Sequence, residues 1–410
     1  MRLFKLIPVV LHPAARTFSG IYPRQQFRFS SMASHTCRAL VVREKNGKNT
    51  LVAEDISVPQ PGPHQALIKV AVAAQNPTDV LCFDAGVFGD GSVLGCDFAG
   101  TVAAIGSEVT RIQQGDKIAG LIWGGQVQGQ GAYSEYAIAD ENICYKIPDG
   151  MPLEQAATVP LAAATAWMAL FGSKSLHIDR TKGSSVQLLI WAGSTSVGLY
   201  AVQLAALFGF SIATVCSPRH FPLLRSFGAK HVFNYKDPEV ISKIQQALPD
   251  VQYVFDTIGN ETSSATASKA ICASGGTLCT VRPFRENTEN VTPQTKVTSL
   301  LVFTAFLRDQ HLGSNFLPAS LAGSFCGQPC HDLPLTCFRP VKKITSLLQS
   351  SMRSYPSFYV KGKSGPTIQS SSKEGCKGFK RDSKLSETGK SLATRLFTEF
   401  LSLRARQSML

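Results

Sequence analysis

The sequence predicts an α/β protein in two parts, a β-barrel-type domain followed by a doubly wound parallel sheet. Three observations predict it. Residues 37–150 alternate short apolar runs with Gly/Pro turns. Residues 186–282 alternate strand-like and helix-like runs, the pattern of parallel strands joined by helices. A small-residue stretch, Ala192-Gly193-Ser194-Thr195-Ser196-Val197-Gly198, sits between the first strand and first helix of that second part.

In the first part, residues 38–42, 65–72, 100–105 and 117–121 read as strands. Separated by turns in this way, they suggest a partly closed barrel. In the second, residues 186–191 form a continuous apolar run, as expected of a strand buried on both faces. Residues 199–208 follow as a helix, with Leu199, Val202, Leu204 and Leu207 apolar. Strands are then expected at 211–216, 231–235, 252–256 and 277–281, with helices at 221–227, 239–248 and 263–272.

The chain has 410 residues, 44% of them hydrophobic, which suits two domains and excludes a disordered protein. No apolar run reaches the ~20 residues of a membrane-spanning helix. The net charge of +13 is unevenly placed. Residues 1–34 carry +5 and residues 321–410 carry +10, which leaves the body between them at −2. The body therefore shows no electrostatic footprint for nucleic acid. Seven scattered body cysteines (Cys37, Cys82, Cys96, Cys144, Cys216, Cys272, Cys279) read as reduced thiols of an intracellular protein.

The ends read differently. Residues 1–34 are basic and acid-free, with Arg28-Phe29-Ser30 resembling a processing site. They suit a mitochondrial transit peptide or an extended start ahead of Met32. A cytoplasmic location is expected, with the mitochondrion as the alternative. Residues 321–410 hold 15 Ser and show neither strand nor helix period apart from a short amphipathic stretch at 394–403. They are expected to be disordered or poorly packed. Cys326, Cys330, His331 and Cys337 have no closed-finger spacing, so no metal is expected there.

The glycine loop carries chemistry. Gly193 allows a tight turn, and Gly198 lets the helix approach the strand. Ser194, Thr195 and Ser196 offer hydroxyls and N–H groups to a pyrophosphate at the helix N-terminus. After the second strand an NAD site needs a carboxylate. Here the chain reads Ser217-Pro218-Arg219-His220. Ser217, Arg219 and His220 can take a 2′-phosphate, Tyr235 can add a hydroxyl, and NADPH is the expected cofactor.

Further segments complete a set: Gln75-Asn76-Pro77-Thr78-Asp79, Leu94-Gly95-Cys96-Asp97-Phe98-Ala99-Gly100, Gly115-Asp116-Lys117-Ile118-Ala119-Gly120, Gly131-Ala132-Tyr133-Ser134-Glu135-Tyr136 and Glu154-Gln155-Ala156-Ala157-Thr158-Val159-Pro160. With the glycine loop, these resemble the medium-chain dehydrogenase/reductase superfamily in its zinc-free quinone- and enoyl-reductase branch. Cys216-Ser217-Pro218-Arg219-His220-Phe221 is similar to fungal trans-acting enoyl reductases that serve polyketide synthases. The resemblance runs from about Cys37 to Ser320. It implies a GroES-like catalytic domain over residues 35–160 and a Rossmann NADPH-binding domain over residues 161–310, with a divergent tail over 321–410.

The resemblance also implies site residues. Thr78, Asp79, Val80, Leu81, Ser194, Thr195, Ser196, Val197, Ser217, Pro218, Arg219, His220 and Tyr235 match cofactor-contact segments. Val281 and Arg282 match a loop near the nicotinamide. Thr165, Ala166, Trp167 and Met168, with Val302, Phe303, Thr304, Ala305 and Phe306, match substrate-lining segments. Zinc relatives place a Cys and a Gly-His-Glu where this chain has Asn76 and Gly95-Cys96-Asp97, so no metal is expected. Some relatives carry Lys where Leu81 stands, so no Lys-dependent mechanism is implied. Tyr133, Thr165 and Tyr235 are candidate proton donors, each with packing or cofactor contact as the alternative role.

The implied activity is NADPH-dependent reduction of an activated carbon–carbon double bond on a small-molecule or carrier-bound enoyl substrate, with a polyketide synthase as partner. The alternatives are a quinone or 2-alkenal reductase, and a nucleotide-binding remnant impaired by its altered C-terminus.

Overall fold

The computed structural model describes residues 36–283 and 288–306, and the backbone of four short strands beyond them. The chain opens with a hairpin of β1 (Thr36–Lys45) and β2 (Lys48–Ser57). It turns at Asn46 and Gly47, both at positive φ, as an Asn-Gly hairpin turn requires. β3 (Gln65–Ala74), α1 (Pro77–Asp84), β4 (Asp97–Ile105), β5 (Lys117–Leu121), β6 (Tyr136–Asp140) and β7 (Cys144–Lys146) follow. β3 pairs with β4 and β6, β4 with β5, and β5 with β7, all antiparallel. Register shifts between Leu67 and Ile68 and between Val70 and Val72 mark bulges in β3, a device that bends a strand and curls a sheet. Ile68, Phe98 and Ile118 are fully buried inside it. Each contributes about 1.5–3 kcal/mol by burial.

Two helices, α2 (Leu153–Ala156) and α3 (Pro160–Phe171), lead into the second sheet. There β8 (Gln187–Trp191), α4 (Ser196–Leu207), β9 (Ser211–Cys216), α5 (Phe221–Ser226), β10 (His231–Asn234), α6 (Val240–Ala247), β11 (Tyr253–Asp256), α7 (Glu261–Ser268), β12 (Gly276–Thr280) and β13 (Thr295–Ser299) alternate. The six strands are parallel, in the order β10-β9-β8-β11-β12-β13. Both faces are covered. Leu188 and Ile190 of β8 pack in a cluster with α3 and α4, while Leu189 and Trp191 pack in a second cluster with α6 and α7. That is why residues 186–191 read as an unbroken apolar run.

The expected α/β architecture is therefore present: a GroES-like curled sheet followed by a doubly wound parallel sheet. β14 (Gln310–Leu312) and β15 (Asn315–Leu317) form a hairpin. Within the stretch expected to lack strand period lie β16 (Phe358–Gly362) and β17 (Pro366–Ser370), and β16 pairs with β3 at Tyr359–Ala74. Residues 1–34, the stretch 394–403 and the cluster Cys326, Cys330, His331 and Cys337 lie outside the described residues. The seven body cysteines are free thiols. Among the described residues no helix is long and apolar enough to cross a membrane.

Candidate dinucleotide and substrate site

Strand order reverses between β8 and β11, the switch point where the C-terminal ends of parallel strands leave a crevice. The expected cofactor residues follow those ends. Ser194, Thr195, Ser196 and Val197 follow β8, and Ser217, Pro218, Arg219 and His220 follow β9. Tyr235 follows β10, and Val281 and Arg282 follow β12. The Tyr235 N–H reaches the Cys216 carbonyl (3.4 Å), which brings the ends of β9 and β10 together.

The glycines of the loop are closely packed by their neighbours. A Cβ on Gly193 would lie 2.1 Å from Thr214 Oγ1, and one on Gly198 2.7 Å from the Ala192 carbonyl. Thr195 caps α4, accepting from the Gly198 N–H (3.0 Å). Its hydroxyl also meets Thr257 Oγ1 (2.8 Å), which ties the loop to the end of β11. The free N–H groups of a three-turn helix then face the crevice, with the positive end of its dipole. Among the residues after β9, Arg219 is exposed and donates from Nε to His220 Nε2 (3.0 Å). Partial burial and then the Arg219 charge hold His220 below its usual range. No carboxylate stands at 217–220. These residues, at the C-terminal ends of adjacent parallel strands, could hold a dinucleotide.

The α1 segment is fixed from below. Thr78 is half-buried, Asp79 is buried, and Val80 and Leu81 are exposed, Leu81 at 53%. Asp79 accepts from the Asn76 N–H (2.7 Å) and from the Tyr133 hydroxyl (3.3 Å). Burial dominates, and its carboxyl is pushed up to about 6. Asp97 accepts from Asn76 Nδ2 (2.9 Å) and from the Leu161 N–H (2.9 Å). Asn76 thus joins Asp79 and Asp97. Among the described residues no three His, Cys, Asp or Glu side chains gather to hold a metal ion.

The two expected substrate segments meet, since α3 packs against the 3-10 turn Val302–Ala305. Thr165 is buried and its hydroxyl donates to the Leu161 carbonyl (2.7 Å). Ala166 and Met168 are buried within α3. Trp167 packs edge-on against Phe171 and Phe208, with the Arg180 guanidinium 5.4 Å from its ring centre. Val302, Phe303, Thr304 and Phe306 are buried, and Ala305 is half-buried. Phe303 lies face to face with Trp123, and Phe88 meets Trp123 edge-on.

Residues 62–149 match the family model of the alcohol dehydrogenase GroES-like domain, and residues 196–315 match that of zinc-binding dehydrogenases. The chain is 31% identical over 304 residues to a trans-enoyl reductase of a Penicillium species, which covers 73% of this chain and 82% of that protein. It is 32% identical over 290 residues to a trans-enoyl reductase of Aspergillus niger, 67% of this chain and 79% of that one. The chain belongs to the medium-chain dehydrogenase/reductase superfamily. Its fold agrees with the crystal structure of an alcohol dehydrogenase superfamily protein from Novosphingobium aromaticivorans, with a TM-score of 0.59 at 23% identity over 77% of this chain and 87% of that one. Membership makes the chain an oxidoreductase of a nicotinamide-dependent superfamily.

In this superfamily member the cofactor loops are legible as contiguous segments, whereas the roles of Trp123, Asn76 and Asp97 emerge only from the fold. A signal for Asp97 was present: it is a carboxylate at the start of a strand whose next residues, Phe98, Ala99 and Gly100, are all buried. A charge in such a run needs partners. Tyr133, a candidate proton donor, instead spends its hydroxyl on Asp79, and its ring lies where a Cβ on Gly95 would clash at 2.6 Å. Tyr235 is 45% exposed at the cofactor end of β10.

Proposed function

We propose that the chain is an NADPH-dependent, zinc-free enoyl reductase that reduces the activated double bond of an α,β-unsaturated thioester. The observation that carries this is the glycine loop, closed by Thr214 and Ala192 around Gly193 and Gly198 and followed after β9 by Arg219 and His220 with no carboxylate. A bound reduced nicotinamide supplies the hydride for the β-carbon. The loop N–H groups and the α4 N-terminus hold the pyrophosphate. Ser217, Arg219, His220 and Tyr235 receive the 2′-phosphate, with Arg219 supplying the charge-assisted bond. Thr78, Asp79, Val80, Leu81, Val281 and Arg282 flank the nicotinamide half.

Residues 35–160 act as the catalytic domain and 161–310 as the dinucleotide domain. The aromatic stack of Trp123 and Phe303 and the buried α3 segment keep water from the acyl chain. Charge that develops on the thioester oxygen spreads into an enolate, which N–H groups, hydroxyls or water stabilise without a Lewis acid until the α-carbon takes a proton from a hydroxyl or from water to give the saturated thioester. An amide at Asn76, bonded to Asp97, stands where zinc relatives carry a thiolate, and this supports the zinc-free reading. The trans-enoyl reductases it resembles support a carrier-bound polyketide intermediate as substrate and a polyketide synthase as partner.

The experiment supplies the purified chain with NADPH and a crotonyl-type thioester and identifies products by mass spectrometry. The saturated thioester is expected. Turnover confined to alcohol oxidation, dependent on added zinc, would overturn the proposal.

A further inference from the structure

We infer that Asp97 is a positioning residue: its carboxylate, shared between Asn76 Nδ2 and the Leu161 N–H at 2.9 Å each, fixes the helix carrying the cofactor segment against the helix carrying the substrate segment. The inference rests on the function proposed above and adds the device that sets its two segments in register.

Asp97 opens β4 and is 1% exposed. Its Oδ1 takes the Leu161 N–H and its Oδ2 takes the Asn76 amide, so each oxygen has a separate partner. Leu161 is the second residue of α3, where N–H groups lack a partner within the helix. A carboxyl group from the curled sheet therefore caps α3; burial pushes Asp97 well above the usual carboxylate range, so the cap rests on its hydrogen bonds rather than on charge. Asn76 directly precedes α1 and is held twice, through its side chain by Asp97 and through its N–H by Asp79. Release of either grip frees the first turn of α1, where Thr78 and Val80 sit. Leu161 lies one turn ahead of Thr165, and the Thr165 hydroxyl bonds the Leu161 carbonyl, so α3 is pinned beside its substrate segment. A buried carboxylate is a costly way to join two helices, and an apolar residue of similar size is often as stable. The directed bonds give what apolar packing lacks, a fixed angle and distance.

The test compares NADPH affinity by calorimetry, thioester KM and kcat, and Tm in wild type, Asp97→Leu, Asp97→Asn and Asn76→Ala. Asp97→Leu removes both bonds at similar volume. Asp97→Asn keeps both when the Asn76 amide turns over, since the new amide can donate to the Asn76 oxygen and still accept from Leu161. Asn76→Ala leaves the α3 cap intact and frees α1 alone, which covers the case of Asp97→Leu failing to fold. NADPH Kd is expected to rise about tenfold in Asp97→Leu and about fivefold in Asn76→Ala, the scale of one or two buried hydrogen bonds. Thioester KM is expected to rise in Asp97→Leu but not in Asn76→Ala, and Asp97→Asn should recover most of the affinity. Wild-type Kd in Asn76→Ala and in every folded Asp97 variant, with only Tm lowered, overturns the inference and leaves the proposed function standing. Wild-type protein that binds neither NADPH nor NADH overturns both.

Discussion

Trp123 and Phe303 stack with ring centroids 4.3 Å apart and planes within 2° of parallel. One follows β5 of the curled sheet, and the other follows β13 of the parallel sheet. The stack therefore joins the two sheets through the expected substrate segment. Trp123 is only 2% exposed. A double-mutant cycle of Trp123→Leu and Phe303→Leu, followed by urea unfolding, should give a coupling energy of about 1 kcal/mol, the range of a buried aromatic pair. Additive losses would mean that the rings stack without supporting each other.

Arg219 should decide the choice of dinucleotide. Calorimetry is expected to show NADPH binding more tightly than NADH by about one to three kcal/mol, the scale of one or two charge-assisted hydrogen bonds. Arg219→Ala should remove most of that gap by weakening NADPH and leave NADH nearly unchanged. A preference for NADH in the wild type would show that the residues after β9 do not form a phosphate site.

Asp79 should impose a pH dependence on stability opposite to that of a salt-bridged carboxylate. Burial raises its carboxyl from 3.8 to about 6, so the native state holds the proton more tightly than the unfolded chain. Its contribution is fully present below about pH 4 and is lost as the pH rises through about 6, a loss of about 3 kcal/mol. Asp79→Asn cannot titrate. Between pH 4 and neutrality its unfolding free energy should gain on that of the wild type by up to about that amount, measured by urea titration at each pH. Parallel pH curves for the two proteins would contradict this.

Gly193 should tolerate no side chain. Gly193→Ala places a Cβ against Thr214 Oγ1, a buried hydroxyl held by the Ile190 carbonyl at 2.7 Å. The expected cost is about 1–3 kcal/mol of stability, the usual range for overpacking, together with weaker dinucleotide binding. Adding Thr214→Ala removes the clashing oxygen and should restore part of both. An equally weak double variant would place the damage elsewhere in the loop.

Much of this was legible in the sequence, for identifiable reasons. The apolar run ending at Trp191 is buried on both faces, so its composition alone marked a central strand, and the glycines after it marked the turn. β2 escaped notice because it is polar and mostly exposed or half-buried along its length. β7 and β13 escaped because they are short edge strands. In the site, single loops such as 217–220 could be read, since each is one contiguous segment. The Asp97 bridge could not, because its partners stand 21 and 64 residues away. Only the packed fold brings Asn76, Asp97 and Leu161 together, and the same holds for Trp123 and Phe303.

Enoyl reduction is best tested by setting two acceptors against each other in one assay. With NADPH saturating, kcat/KM should be measured for a crotonyl-type thioester and for a simple quinone, with the thioester product quantified against NADPH consumed. The expected result is at least a roughly tenfold preference for the thioester, about 1.4 kcal/mol in transition-state binding, with one saturated thioester formed per NADPH. Faster turnover of the quinone, or NADPH bound with no thioester reduced, would contradict it.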